Sequence, residues 1–361
     1  MTTSDNQRPP DGPDPFAHLH DQLDRDRQPT TLNVADLDDR FPRIDWETAY
    51  LRDYSEVDWL VGKLGERGQQ VAIPGAGKVG KSLLILDAVQ RAVRGLPFLD
   101  APALDPITVL YLDRENSERD IITRCKALGA PAHELAGRLH YVPFPRFGSQ
   151  LDAEVGAHEL LTIVEHLKPD LTVIDTTSRY IQGKENDSDT WLQLYRRVHA
   201  PLKADGRACW RLDHFGKDLD RGARGSSAKD QDVDHVWELT GHGETVDKTG
   251  GVETVTTRLR LTRTHTRSGI GPGRHDITRT GRKSGDLWLP GRTSHQLTDS
   301  ATVETDDQLR DSYVDQLLAA GLDQPLGRDR LRAWARSHSV ILPGRNEDIG
   351  DIAKTLRARL A

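Results

Sequence analysis

Gly75-Ala76-Gly77-Lys78-Val79-Gly80-Lys81-Ser82 decides the reading of this chain. It fits G-x-x-x-x-G-K-S, the loop that cradles a nucleotide's phosphates. The flanks agree with it. Gln69-Gln70-Val71-Ala72-Ile73-Pro74 reads as a short apolar strand ending at a proline, and Ser82 to Val93 has helical length and composition. Strand, glycine-rich turn and helix N-terminus in that order aim backbone N–H groups at an anion, and the helix dipole favours its charge. The expected phosphate cradle is Gly75, Ala76, Gly77, Lys78, Val79, Gly80, Lys81, Ser82 and Leu83. Within it Lys81 reaches the β- and γ-phosphates and Ser82 takes Mg²⁺, so the expected ligands are ATP and Mg²⁺.

Working outward, apolar strand-like runs alternate with helical stretches. The runs are Thr108–Leu112, Leu139–Val142, Leu171–Asp175, Ala208–Leu212 and Val233–Leu239. This alternation predicts an α/β fold, a mostly parallel sheet with helices on both faces. One run, Ala208-Cys209-Trp210-Arg211-Leu212-Asp213, is more polar than a buried strand should be. Near Arg258-Leu259-Arg260-Leu261 the pattern changes to polar–apolar alternation, which predicts edge strands or hairpins. The expected organisation is a disordered acidic, Pro-rich tail over 1–45, an ATPase domain over 46–295, a linker over 296–305 and a small helical module over 306–361. Its helices are expected near 306–320, 328–338 and 346–360, and a helix-turn-helix or winged-helix form is one expectation for it.

The 361 residues suffice for two or three domains. At 36% hydrophobic and 29% charged, with mean hydropathy -0.62, the chain reads as soluble. No apolar run approaches the ~20 residues of a membrane span, and the N-terminus lacks the features of a signal peptide. Cys125 and Cys209 have no metal-ligand neighbourhood and read as buried thiols in a reducing cytoplasm. The net charge of -7 is unevenly spread. Residues 1–40 hold nine Asp and four Lys/Arg, whereas residues 256–293 hold nine Lys/Arg and two Asp.

A phosphate loop alone does not say what the nucleotide does. Leu171-Thr172-Val173-Ile174 delivers Asp175 to a strand end, where a Mg²⁺-organising acid belongs; a plain capping aspartate is the alternative. Val109-Leu110-Tyr111-Leu112 runs into Asp113-Arg114-Glu115. Either acid is placed to polarise an attacking water, and either suits a helix N-cap.

The spaced set resembles RecA-like P-loop ATPases of the RepA-like replicative-helicase, AAA-type subgroup. It comprises the phosphate loop, Val109–Asn116 with Arg119–Arg124, Leu171–Asp175, His214-Phe215-Gly216-Lys217 and Arg224-Gly225-Ser226-Ser227-Ala228. The resemblance covers residues 57–270, and the last two segments point to the subgroup. It implies a RecA-like core with Glu115 as catalytic glutamate, Asp175 as metal-organising aspartate and His214 as γ-phosphate sensor; Lys81 completes the catalytic set. It also implies a homo-oligomer, with rings among its forms, acting on nucleic acid, single-stranded DNA in the first place. Arg224 and Lys229 would touch nucleic-acid backbone. Arg263 and Arg267, in the basic run with Arg258 and Arg260, are candidates for a finger reaching a neighbouring subunit's site.

Three alternatives are weighed against a helicase-like or replication accessory ATPase of a plasmid, phage or integrated element. A deviant-loop partition ATPase needs lysine at position 76, where this chain has Ala76. A small-molecule P-loop kinase leaves the His214 and Arg224 segments unexplained. An ATP-switched DNA-binding regulator would use the C-terminal module, yet ten acids against nine bases across 301–361 give no basic footprint. That module is expected to dock a protein partner instead.

Overall fold

The computed structural model describes residues 41–185, 187–214, 232–299, 306–338, 340, 342 and 346–360. The chain divides into two units, Met1–Val57 and Asp58–Ala361. In the first, residues 41–45 are irregular and lead into a short helix, Trp46–Tyr50, capped by Asp45.

The second unit is built on a ten-stranded sheet: β1 (Gln70–Gly75), β2 (Val109–Asp113), β3 (Leu139–Pro143), β4 (Leu171–Asp175), β5 (Ala208–His214), β6 (His235–Thr249), β7 (Val252–Thr266), β8 (Arg274–Ser284), β9 (Leu287–Trp288) and β10 (Ser294–Leu297). Their order across the sheet is β3-β2-β4-β5-β1-β6-β7-β8-β10, with β9 paired to β8. Pairings from β3 through to β6 are parallel. From β6 to β10 they are antiparallel. The α/β fold with a mostly parallel core is thus the observed one, joined to an antiparallel extension.

Helices cover both faces because neighbouring strand residues point opposite ways. Val71, Ile73, Val109, Tyr111, Val173 and Trp210 share a core with Leu84, Ile85 and Val89 of α1 (Lys81–Val93). Leu110, Leu112, Ile174 and Cys209 face the other side, towards Leu160 and Val164 of α3 (Glu154–Leu167) and the helical stretch around Trp191–Leu202. Between these elements α2 (Glu118–Ala127) starts in a Ser117–Asp120 capping box. Both cysteines are free and buried, and burial pushes Cys125 up to about 11 and Cys209 up to about 12.

The polar strand is β5, and it lies at the centre of the sheet. Arg211, fully buried, pairs with Asp213 at 3.1 Å and lies 4.8 Å over the Trp191 ring. A buried strand therefore accepts an arginine because its charge is neutralised within the same strand.

Two expectations need correcting. The strand expected over Val233–Leu239 extends to Thr249 and pairs along its length with β7. The segment expected to be a linker from 296 begins inside β10, which pairs with β8 through Leu297. Buried His295 anchors that strand by a 2.8 Å contact with Asp87 of α1, so burial of one histidine outweighs a loop-like composition. Beyond it, α4 (Asp306–Ala319), α5 (Arg328–Ser337) and α6 (Asn346–Leu360) enclose a core that includes Val314, Leu317, Leu331, Ile349 and Leu356. Among the described residues this module holds no strand, so a winged form finds no wing there. Tyr313 of α4 donates to the Gly241 carbonyl of β6 at 2.8 Å. No helix among the described residues is long and apolar enough to cross a membrane.

Arg211→Ala should destabilise the chain by about 3–5 kcal/mol in urea unfolding, because it strands a buried carboxylate. A loss below about 1 kcal/mol would show that the pair does not hold the central strand.

Candidate functional site

Parallel register gathers the site. Gly75 stands beside His214 and Asp113 beside Asp175, so β1, β5, β4 and β2 end along one edge. Ligands in open α/β sheets sit outside such carboxyl ends.

The loop after β1 needs glycine where the backbone turns back on itself. Gly80 caps α1 at φ +100°, and a Cβ there would collide with the Arg279 guanidinium. Lys81 is 5% exposed, and its Nζ donates to the carbonyls of Gly75 (2.8 Å) and Ala76 (2.9 Å). The same Nζ is 3.5 Å from His214 Nδ1. The ammonium is therefore held over the loop, and the N-terminus of α1 is aimed at the same place.

Asp175 is 1% exposed and accepts from Tyr111 (2.8 Å) and from the Ser82 hydroxyl. Its pKa is pushed up to about 6, first by burial and then by the nearby Asp113 and Glu115 carboxylates, against the Ser82 and Tyr111 hydrogen bonds. Asp113 is spoken for: it accepts from the amides of Glu115 (2.6 Å) and Asn116 (3.0 Å), from the Asn116 side chain (2.8 Å) and from Tyr141. That turn leaves the Glu115 carboxylate facing the cavity, half-buried, 3.2 Å from Arg179 Nε and 3.6 Å from His214 Nε2. Burial alone would raise the Glu115 pKa. Hydrogen bonds from Arg179 and Thr176 and the charges of His214 and Arg179 outweigh it and hold the group below its usual value. Of the two acids in this turn, Asp113 shapes it and Glu115 is the one available to a water.

A cavity of about 550 Å³ is lined by Lys81, Ser82, Glu115, Thr176 and His214, among others, with Asp175 buried behind it. Ser82 and Asp175 offer hard oxygen donors side by side. An accumulation of three carboxylates that raises one proton affinity is a place where a divalent cation fits. Among the described residues no cluster of three or more His, Cys, Asp and Glu side chains could hold a metal by itself. Mg²⁺ needs no such cage, because it keeps waters and takes phosphate oxygens.

Sequence reasoning missed several partners. Tyr111 and Tyr141 stack with ring centroids 4.6 Å apart, each holding one of the two aspartates. Arg179, on the turn Thr177–Arg179 after β4, and Arg279, on β8, also reach the site. Matched tyrosines in adjacent predicted strands were the one available signal. Arg263 and Arg267 do not join this pocket. Arg263 donates to the carbonyls of Ile270 and Gly271 and lies 5.7 Å over Trp237, and Arg267 pairs with Asp234 at 3.5 Å. Both sit towards the start of β6, away from the end beside Gly75. Arg224 and Lys229, with Lys217, lie outside the described residues.

A family model described as an AAA domain matches residues 37–220, just over half of the chain. Among solved structures the chain is similar to a KaiC-like protein from the hyperthermophilic archaeon Pyrococcus horikoshii OT3. The likeness runs at 11% identity over 62% of this chain and 90% of that one, with a TM-score of 0.41. No curated protein matches.

Asp175→Asn gives a test with a definite sign. A carboxyl raised from 3.8 to about 6 favours the fold below pH ~4 and withdraws that stability as pH rises through ~6. Without nucleotide or metal, the Asn variant should therefore be more stable than wild type at pH 8, by on the order of 2–3 kcal/mol. The gain should fade towards pH 4. Urea unfolding at both pH values checks it, and a pH-independent difference would contradict the assignment.

Proposed function

Because the chain belongs to the AAA domain family and its phosphate loop leaves β1 at the carboxyl edge of a mostly parallel sheet, we propose that it is a RecA-like, Mg²⁺-dependent ATPase acting on nucleic acid. In this reading it is an oligomeric helicase-like or replication accessory factor of a plasmid, phage or integrated element. The observation that carries the reading is the single strand edge where Lys81, Ser82, Asp175, Glu115 and His214 converge.

In this reading the amides from Gly75 to Leu83 and the Lys81 ammonium bind the triphosphate. Ser82 and Asp175 hold Mg²⁺, which when bound neutralises charge developing on the phosphate oxygens. Glu115, kept ionised by Arg179, accepts a proton from the attacking water. His214, 3.5 Å from the lysine ammonium, contacts the γ-phosphate. It also ends β5, ahead of Arg224 and Lys229 in the chain, so a change at the γ-phosphate is relayed through His214 to those two residues. Those two residues take the nucleic-acid backbone, single-stranded DNA first. Arg263 and Arg267, lying away from their own pocket, serve a neighbouring subunit's pocket. The C-terminal helices, with balanced charge and a Tyr313 tether to β6, dock a protein partner. Two buried free thiols suit the reducing cytoplasm.

Steady-state ATP turnover with and without single-stranded DNA tests this reading. Lys81→Ala should abolish nucleotide binding and turnover. Glu115→Gln should keep ATP binding while lowering kcat by about 10²–10⁴-fold. DNA should raise the wild-type rate, and Arg224→Ala should reduce that stimulation. A rate indifferent to DNA and RNA would favour an ATP-driven switch or a kinase instead.

A further inference from the structure

The cavity at the phosphate loop has two unlike flanks. β5, β4 and β2 lie on one side of β1, and the ends of these strands bring His214, Thr176 and Glu115 to the cavity, with Asp175 buried behind it. On the other side lie β6, β7 and β8, with β9 beyond. They wall the same cavity with Arg279, Lys283, Val246, Val255 and Trp288, which the proposed chemistry leaves unused.

The Arg279 guanidinium lies against the loop itself, with Nη1 2.3 Å from where a Cβ on Gly80 would sit. Its side chain is 19% exposed; Nη2 donates to Thr257 Oγ1 at 2.8 Å, and the Glu244 carboxylate stands off at 3.8 Å. Glu244 already pairs with it at that distance, and a phosphate in the cradle beside Gly80 would give the guanidinium a second, closer anion. Further along the wall, the Trp288 ring lies over Gly281, where a Cβ would come within 2.6 Å of it. Trp288 remains 40% exposed and Val246 47%, an apolar surface lining a cavity in a polar chain. The buried Thr293 hydroxyl on the same wall has no hydrogen-bond partner among the described residues.

We propose that the antiparallel extension is the nucleoside-side wall of the pocket, with Arg279 holding phosphate oxygens in cis and Trp288, Val246 and Val255 covering the nucleobase. The acidic flank then takes the metal and the attacking water, and the nucleotide lies across β1 with its base towards β8 and β9. The wall rests on the ATP-binding reading and adds to it the orientation of the nucleotide and the residues that grip its base.

Calorimetric titration of the full chain with Mg·ADP and with Mg·tripolyphosphate separates the two readings, because the second ligand has phosphates and no base. Trp288→Ala should weaken ADP binding about tenfold, in line with the loss of one stacking partner, and leave tripolyphosphate binding unchanged. Arg279→Ala should weaken both ligands about tenfold or more, with partial recovery in Arg279→Lys. Trp288→Phe should retain most of the ADP affinity, and unchanged melting temperatures guard against misfolding. If Trp288→Ala weakens both ligands equally or neither, or if Arg279→Ala changes neither, the wall is wrong even though Lys81→Ala still removes binding. If the wild-type chain binds neither ligand, the ATP-binding reading fails and the wall falls with it.

Discussion

Everything at this site depends on the register between parallel strands. Parallel pairing fixes which residues end level with one another, and here it sets Gly75 level with His214 and Asp113 level with Asp175. A slip of one residue along β4 would turn Asp175 to the opposite face, into the core of Leu110, Ile174 and Leu160. That register is in turn enforced by burial. Every residue of β2 and β4 is buried, and alternate residues belong to two different cores.

Electrostatics then divides the labour among three neighbouring carboxylates. Asp113 is consumed by a turn and by Tyr141. Asp175 lies deep, with its proton affinity raised, where a metal would relieve it. Glu115 is nearer the cavity and is kept ionised by Arg179. Three identical charges thus have three different environments, and the environments rather than the residue types set their roles. The stacked tyrosines beneath them supply the hydrogen bonds that let two buried acids persist side by side.

Much of this was legible in the sequence because it is local. The phosphate loop declares itself through eight consecutive residues, and the alternation of apolar runs with helical stretches gave the α/β core. What was illegible is long-range. The apolar run that predicts β6 ends at Leu239, yet the strand continues to Thr249 with increasingly exposed residues held by cross-strand pairing to β7. The end of β10 reads as linker, since its place is fixed by pairing with β8 and by the contact between His295 and Asp87, 208 positions apart. The choice between Asp113 and Glu115 needed the turn geometry. Arg279 and Trp288 lie about 200 residues beyond the loop they flank, and no spacing in the sequence announces them.

The most direct measurement is a crystal structure of the chain with Mg²⁺ and a non-hydrolysable ATP analogue. The account predicts the triphosphate on the amides of residues 75–83, the metal between Ser82 and Asp175, and a water within hydrogen-bond reach of Glu115. A metal bound away from Asp175, or a triphosphate seated elsewhere on the sheet, would contradict it.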